Sequence, residues 1–174
     1  RKLVPLDAEA SDENGTNENR YKAIDDDLNT KWCVTNNPTP WLELVFAEPV
    51  DICHWLVMNA GVESSQYITS AFRLQGYENG VWIDLDQVTD NTLNKVHRYI
   101  PSFTTDRVRL QIDKGEQGDD GTTTRILEFA VYGREGGVGI EPSESSDSNF
   151  HIEGNYPNPF SYQTTIRCQV PEGA

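Results

Sequence analysis

The 174-residue chain has no apolar run of 18 residues, almost no helical periodicity and few basic residues. Without a long apolar run, no segment is expected to insert into a membrane. Lys and Arg number 14 against 28 Asp and Glu, which gives a net charge of −14. Because no basic stripe can replace the counterions of a polyanion, we expect no binding to nucleic acid or to anionic membrane surfaces.

The usual sequence signatures of enzymes are also absent. No G-x-S-x-G motif, phosphate-binding loop or H-E-x-x-H motif occurs. None of the three histidines has a Cys or His partner at the spacing of a metal site, and His54 lies in an apolar run that suits a core residue. Carboxylates are plentiful, so counting does not exclude a glycosidase-like pair. We nevertheless expect a non-catalytic protein.

Cysteine is scarce, and the count of three is odd. A Cys33–Cys53 disulfide and two buried free thiols are both compatible with the sequence. Cys168 is either free or pairs with another chain. The chain has no initiator methionine and no signal sequence, so we expect it to be a piece of a longer protein.

Short strand-like segments separated by turn residues fill the first 133 residues. Asn79-Gly80 predicts a hairpin turn, and Pro49 is expected to end the first long segment. Trp32, Trp41 and Trp55 lie in strand patterns and are expected in the core. About eight strands predict an all-β protein, an antiparallel β-sandwich of the jelly-roll type. The clearest segments are residues 41–46, 52–58, 71–77, 81–85, 95–100, 106–112 and 125–132.

An acidic turn between Lys22 and Trp32 is the most informative stretch of the chain. Asp25 and Asp27 alternate, so an extended or turning backbone can aim both at one point, and Thr30 can add its hydroxyl and carbonyl oxygens. Hard oxygen donors at such spacing suit Ca²⁺, which takes about 6–8 oxygens in irregular geometry. A solvated acidic turn before a strand is the alternative, and the glycine and glutamate of an EF-hand loop are missing.

Two segments together carry a family resemblance. Residues 23–32 read A-I-D-D-D-L-N-T-K-W, and residues 127–133 read L-E-F-A-V-Y-G. They resemble the motifs A-I-D-G-[DN]-x-x-T-x-W and [AS]-E-[IF]-x-V-[YF]-G of the discoidin, or coagulation factor V/VIII type C, superfamily, and within it the family 32 carbohydrate-binding modules. Asp26 replaces the usual glycine at a position that often needs positive φ, which aspartate tolerates.

The resemblance implies a galactose-binding-domain-like sandwich with one structural calcium ion. Carried over position by position, the ligands are the carbonyl oxygens of Lys22 and Leu127, the side chains of Asp25, Asp27 and Glu128, and Thr30.

The resemblance also implies sugar binding at loops on one end of the sandwich, here residues 9–20, 34–40, 59–70 and 114–124. The galactose-preferring pattern is broken, because Cys33 follows Trp32, the middle loop lacks arginine and the last loop lacks an aromatic residue. The best remaining candidates are Tyr67 as a stacking platform or half-buried loop anchor, and Asn59, Glu63 and Gln66 as hydroxyl partners. Asn14, Asn17 and Asn19 are further candidates from the first loop.

The last 41 residues differ in composition from the rest. Residues 134–149 are rich in Gly, Ser and acid, as in a linker. Residues 150–174, with N-Y-P-N-P-F followed by an alternating segment, resemble the first part of the C-terminal sorting domain of the type IX secretion system. That implies a parent protein secreted by, or held at the surface of, a Bacteroidetes-type bacterium. The alternating segment at 164–170 is expected to pair with its own sandwich or with a neighbouring chain.

These observations predict a non-catalytic carbohydrate-binding module at residues 1–133, stabilised by structural Ca²⁺. Its expected partners are a poly- or oligosaccharide, other domains of a parent protein that degrades glycans, and the type IX secretion machinery. The alternative is a structural or assembly module that makes protein–protein contacts and binds no glycan.

Overall fold

The computed structural model describes residues 1–118, 120–133, 151–156 and 165–169, and only the backbone of the last two ranges. Seven strands form one continuous antiparallel sheet with the order β2-β7-β3-β6-β4-β5, and β1 pairs with β3. The strands are β1 (Asp7–Ala10), β2 (Trp32–Val34), β3 (Trp41–Asn59), β4 (Thr69–Glu78), β5 (Val81–Val88), β6 (Lys95–Glu116) and β7 (Thr124–Gly133). Short 3₁₀ helices occupy Thr16–Glu18, Arg20–Ala23 and Ser65–Tyr67.

The two long strands, β3 and β6, take part in both layers of a sandwich. Their pairing from Trp41↔Gln111 to Val45↔Arg107 lies in the first layer, together with β1, β4 and β5. Their pairing beyond Val50↔Thr105 lies in the second layer, together with β7 and β2. The all-β jelly-roll sandwich that the sequence predicts is confirmed.

Pro49 does not end a strand, contrary to the prediction. The register shifts between Val45 and Val50, so that the intervening residues of β3 face only Asp106 on β6. A proline is tolerated at such a bulge because its missing N–H would not take part in the ladder. The predicted segments 41–46 and 52–58 are therefore one bent strand, and so are 95–100 and 106–112.

The core lies between the two layers. Trp32, Trp55, Phe72 and Phe129 are 0–1 % exposed, and the ring of Trp55 meets that of Phe72 edge-on at 5.8 Å between centroids. Trp41, which the sequence predicts in the core, is instead half-buried under the guanidinium of Arg109, 4.3 Å from the ring centroid.

His54 and Cys53 lie on β3, and Cys33 lies on β2. His54, expected in the core, is half-buried among Tyr99, Tyr132 and His97. Cys33 and Cys53 are free thiols, so the alternative of a disulfide between them is not realised. Burial, with a smaller contribution from the Glu18 carboxylate, raises the pKa of Cys33 to about 11, which keeps this thiol neutral and unreactive.

The chain divides into two compact units, Arg1–Glu135 and Gly136–Ala174. In the second unit, β8 (His151–Tyr156) pairs antiparallel with β9 (Thr165–Gln169). The strand predicted at 164–170 is present as Thr165–Gln169, and it pairs with β8, whereas the sequence analysis expected it to pair with its own sandwich or with a neighbouring chain. The predicted linker, the prolines of the N-Y-P-N-P-F segment and the side chain of Cys168 lie outside the described residues. No helix in the described ranges is long and apolar enough to cross a membrane.

Candidate functional site

The acidic turn follows the 3₁₀ helix Arg20–Ala23 and leads into β2. Asp26 adopts a φ of 59°, the left-handed conformation expected at the position where the family carries glycine. This conformation turns the backbone so that the oxygen-bearing groups on either side of Asp26 face inward towards Thr30.

Four oxygen atoms surround the hydroxyl of Thr30. Thr30 Oγ1 lies 2.9 and 3.0 Å from the two carboxylate oxygens of Asp25, 3.2 Å from the carbonyl oxygen of Lys22 and 3.1 Å from that of Asp27. A hydroxyl has one proton and can donate only one of these hydrogen bonds. The cluster therefore holds more oxygen acceptors than its hydroxyl can satisfy. The Asp25 carboxylate also accepts a hydrogen bond of 3.1 Å from the backbone N–H of Asp27 and lies 3.5 Å from the ammonium of Lys22.

The backbone carbonyl of Asp27 takes part in this cluster, whereas the resemblance implied a ligand role for its side chain. Its carboxylate accepts hydrogen bonds from the backbone N–H and the side-chain amide of Asn29, at 3.0 and 2.8 Å. The bond from the Asn29 backbone, followed by that from its side chain, lowers the pKa of Asp27. The Asp27 carboxylate thus stabilises the turn and stays ionised in mild acid.

Glu128 approaches the same turn from β7, next to the buried Leu127. One of its carboxylate oxygens lies 3.3 Å from the backbone N–H of Asp26, and the other accepts a hydrogen bond of 2.7 Å from the ammonium of Lys2. Burial raises the pKa of Glu128 in spite of this ion pair. Burial also opposes the charge of Lys2, but hydrogen bonds to Asp26 and Glu128 outweigh it and raise the Lys2 pKa. The pair is therefore a partly buried one in which desolvation offsets much of the attraction.

The donor set of the turn decides which ion would fit. Within the described residues, no three or more His, Cys, Asp or Glu side chains converge as a metal-binding group. The turn offers one carboxylate, two carbonyl oxygens and a hydroxyl, with Glu128 nearby. Hard oxygens of mixed type fit Ca²⁺ and are poor ligands for softer transition metals.

The four loops predicted at one end of the sandwich do contact each other. The hydroxyl of Thr35 donates to the side-chain oxygen of Asn14 at 3.3 Å, which joins the first loop to the second. Backbone hydrogen bonds of 3.1 Å from Asn37 to Thr122 and of 3.0 Å from Gly118 to Gln66 join the second and middle loops to the last. These contacts form one continuous end surface.

Asn59 supports this surface from within. It is 0 % exposed, and its side-chain amide donates to the carbonyl oxygens of Leu93 and Asn94 at 3.2 and 3.1 Å. Its side-chain oxygen accepts from the backbone N–H of Thr69 at 3.1 Å. Asn59 therefore ties the middle loop to the segment before β6 and does not face solvent.

Tyr67 is half-buried in the middle loop of the end surface. The guanidinium carbon of Arg125 lies 4.2 Å from its ring centroid, so one face of the ring is covered by a cation–π contact. Arg125 is itself paired with the buried Glu116. The other two candidates of the middle loop, Glu63 and Gln66, are exposed.

Lys31 completes the end surface and was not predicted. Its ammonium lies 2.8 Å from each oxygen of the Glu63 carboxylate and 4.0 Å from that of Glu18. Arg125 is distant in sequence from Tyr67, and Lys31 is distant in sequence from Glu63, so that only the fold brings each pair together. The sequence holds no local signal for either contact.

Known structures resemble this sandwich. The family 32 carbohydrate-binding module of EndoD from Streptococcus pneumoniae has a TM-score of 0.67 at 18% identity, covering 77% of this chain and 100% of that one. The family 32 module of AlyQ, in complex with 4,5-unsaturated mannuronic acid, has a TM-score of 0.62 at 16% identity, covering 76% and 98%. Chitosan-binding module 2 of a chitosanase/glucanase from Paenibacillus sp. IK-5, in complex with chitotriose, has a TM-score of 0.60 at 16% identity, covering 73% and 95%.

At these identities the likeness establishes the fold. No curated protein matches the sequence. The model of the F5/8 type C domain matches residues 7–129, which is most of the chain and nearly all of the sandwich. The chain therefore belongs to the F5/8 type C domain family, as the two sequence motifs implied.

Proposed function

We propose that the sandwich is a non-catalytic carbohydrate-binding module. The observation that carries the proposal is the half-buried ring of Tyr67 in the middle loop, which the Gly118–Gln66 hydrogen bond joins to the last loop beside it. Sugar sites combine an aromatic face for the C–H side of a pyranose with planar polar groups for its hydroxyls. Three of the similar solved structures are carbohydrate-binding modules by name, two of them in complex with a sugar.

Each residue of the end surface has a separate role in this proposal. The face of Tyr67 opposite Arg125 stacks against the sugar ring, and Arg125 fixes the orientation of the tyrosine. Glu63 and Gln66 are exposed. The Glu63 carboxylate accepts hydrogen bonds from sugar hydroxyls, and the Gln66 amide both accepts and donates them. Asn59 acts indirectly, since its buried amide holds the loop that carries them.

A structural calcium ion is part of the same proposal. The carbonyl oxygens of Lys22 and Asp27, the Asp25 carboxylate and Thr30 Oγ1 supply ligands. Glu128, and the Leu127 carbonyl that the family motif adds, approach from β7. When bound, the ion joins the start of the sandwich to its last strand. The Lys2 ammonium is hydrogen-bonded to the Glu128 carboxylate at 2.7 Å, so this carboxylate would have to exchange Lys2 for the ion in order to serve as a ligand.

In a parent protein the module would act by proximity. We infer a secreted, multi-domain bacterial protein that degrades glycans and is exported through the type IX secretion machinery, as the sequence of residues 150–174 suggests. Binding to a polysaccharide would raise the effective concentration of the substrate around the catalytic domain.

A glycan array tests the proposed function. The full chain should bind at least one glycan, and Tyr67→Ala should abolish that binding. Trp82→Ala is the matched control, because Trp82 lies on β5 under Arg109, with its ring centroid 3.9 Å from the guanidinium carbon, away from the end loops. Equal binding by wild type and Tyr67→Ala would exclude the proposed site, provided that both variants melt cooperatively.

One observation favours a structural or assembly module instead. One face of Tyr67 is covered by Arg125, and the charges of Lys31 and Glu63 already satisfy each other. If the end surface is a closed network, it would contact sister domains and not sugars. An array without any bound glycan, together with retention of the chain by other domains of the parent protein, would support this second function.

A further inference from the structure

A row of rings stands on the outer face of the second layer, away from the end loops. His54 on β3 pairs in register with Tyr99 on β6 and with Tyr132 on β7. The His54 ring stacks on that of Tyr132 with centroids 4.4 Å apart and planes 9° from parallel, and it lies 4.9 Å from the ring of Tyr99. The imidazole is therefore held in one orientation from both sides.

His97 lies diagonally beside His54 on the neighbouring strand, where it pairs with Leu56. The two imidazole centroids are 5.1 Å apart and their planes are inclined by 58°. With metal–nitrogen bonds of about 2.0–2.1 Å, two imidazoles on one tetrahedral ion have ring centroids roughly 5 Å apart. The observed centroid separation of 5.1 Å matches the one expected for two imidazoles on a single ion.

Access and orientation also suit a metal ligand. His97 is exposed and His54 half-buried. Cys53 occupies the irregular step of β3 between Ile52 and His54, and its sulfur lies 3.7 Å from Nδ1 of His54. A proton on Nδ1 directed at that sulfur leaves the Nε2 lone pair of His54 free for an ion.

We propose that His54 and His97 form a two-imidazole site for a divalent transition-metal ion of the Ni²⁺, Cu²⁺ or Zn²⁺ class, with water completing the coordination. Imidazole nitrogen is preferred by these metals and not by Ca²⁺, so the site is chemically distinct from the oxygen cluster around Thr30. With only two protein ligands the ion would exchange readily. The site should bind Cu²⁺ more tightly than Zn²⁺, and Ni²⁺ more tightly than Co²⁺.

The test uses Ni²⁺ and the reduced full chain in the presence of saturating Ca²⁺, which fills any hard-oxygen site. We expect one Ni²⁺ to bind by isothermal titration calorimetry and to broaden the NMR signals of β3 and β6 around the two histidines. His54→Gln and His97→Gln should each weaken binding by about tenfold or more, as expected when a ligand is removed.

His151→Gln is the matched control, because it removes the remaining histidine of the chain and should leave the affinity unchanged. The exposed position of His97 keeps the test decisive even if His54→Gln disturbs the fold. Ni²⁺ affinity within twofold of wild type in His97→Gln, or broadening centred elsewhere, would overturn the proposal.

Discussion

In the acidic turn, the two carboxylate oxygens of Asp25 lie 2.9 and 3.0 Å from the hydroxyl oxygen of Thr30. If the turn binds Ca²⁺ only when folded, the ion stabilises the protein by mass action. Chelation with EGTA should then lower the melting temperature of the wild type. Asp25→Asn, which removes the charge at nearly constant size, should abolish that response. Differential scanning fluorimetry with and without Ca²⁺ measures both.

Glu48→Gln is the control for this experiment, since it removes one negative charge from an exposed position of the β3 bulge. It should keep the full calcium response. A wild-type melting temperature that ignores the chelator, or an Asp25→Asn variant that still responds, would count against the calcium proposal.

Asp86 stabilises the protein through a buried partner. It is 12% exposed, and it accepts hydrogen bonds of 3.0 Å from the indole N–H of Trp55 and 2.7 Å from Arg98. Asp86→Ala leaves the indole N–H of a fully buried tryptophan without this acceptor, which should lower the free energy of unfolding by about 1–3 kcal/mol. Arg98 is half-exposed, so Arg98→Ala should lower it by less than about 1 kcal/mol. Urea denaturation compares the two variants.

The contribution of Asp86 should disappear in acid. Burial raises its pKa, but hydrogen bonds from Arg98 and Trp55 lower it more, so the folded-state value lies below the ordinary 3.8. A carboxylate with a depressed pKa stabilises the protein above its unfolded-state pKa and loses that effect as the pH falls through the folded-state pKa. The difference between wild type and Asp86→Asn should therefore shrink below about pH 3.8. A difference that is independent of pH would exclude an electrostatic origin.

At the scale of residues, the sequence predicted contacts between residues that are close in the chain, but not contacts between residues that are far apart in it. Asp25 and Thr30 lie within one turn, so their spacing alone predicted that they meet. The positive φ of Asp26 followed from the family motif. The ion pair of Lys2 with Glu128 joins the first residues of the sandwich to its last strand, and neither residue type nor spacing indicates it.

At the scale of elements, alternation predicted the strands of the second half well and their boundaries less well. Residues 106–112 alternate as expected, but they continue an earlier strand through an irregular step. The effect of Pro49 depends on whether its partner strand needs the missing N–H, and the sequence does not contain that information. β1 and β2 have only four and three residues, too few for a periodic signal.

Gly115, near the end of β6, is required by space. A Cβ atom there would lie 2.2 Å from the carbonyl oxygen of Thr123 and 2.7 Å from that of Gly121. Because these are backbone atoms, Gly115→Ala has to displace the last loop, and we expect a loss of about 1–3 kcal/mol in the free energy of unfolding. Chemical denaturation checks this value.

Gly80 provides the contrast, because it is required by conformation. It has a φ of 86° in the predicted Asn79-Gly80 hairpin turn, and a Cβ atom there would meet no heavy atom within 4 Å. Asparagine tolerates positive φ, so Gly80→Asn should change stability by less than Gly115→Ala. If the two substitutions were equally harmful, close approach of the backbone would not be the reason for Gly115.

At the scale of the whole molecule, the sequence predicted the sandwich and the set of loops at its end, but not the chemistry of the end surface. The cover of Arg125 on Tyr67 and the bridge of Lys31 to Glu63 arise from strand order, which brings distant segments together. Without knowing that order, the sequence could offer Tyr67 but could not show which of its faces stays available.

The passage of β3 and β6 through both layers has a consequence for the motions of the protein. Neither layer can open without breaking pairs in strands that the other layer shares, so partial opening gains little chain freedom. Slowly exchanging amide protons of β4 and of β7 should therefore report the same opening free energy by native-state hydrogen exchange. Separate values for the two strands would mean that the bends act as hinges. Equal values would mean that the sandwich opens as a single cooperative unit.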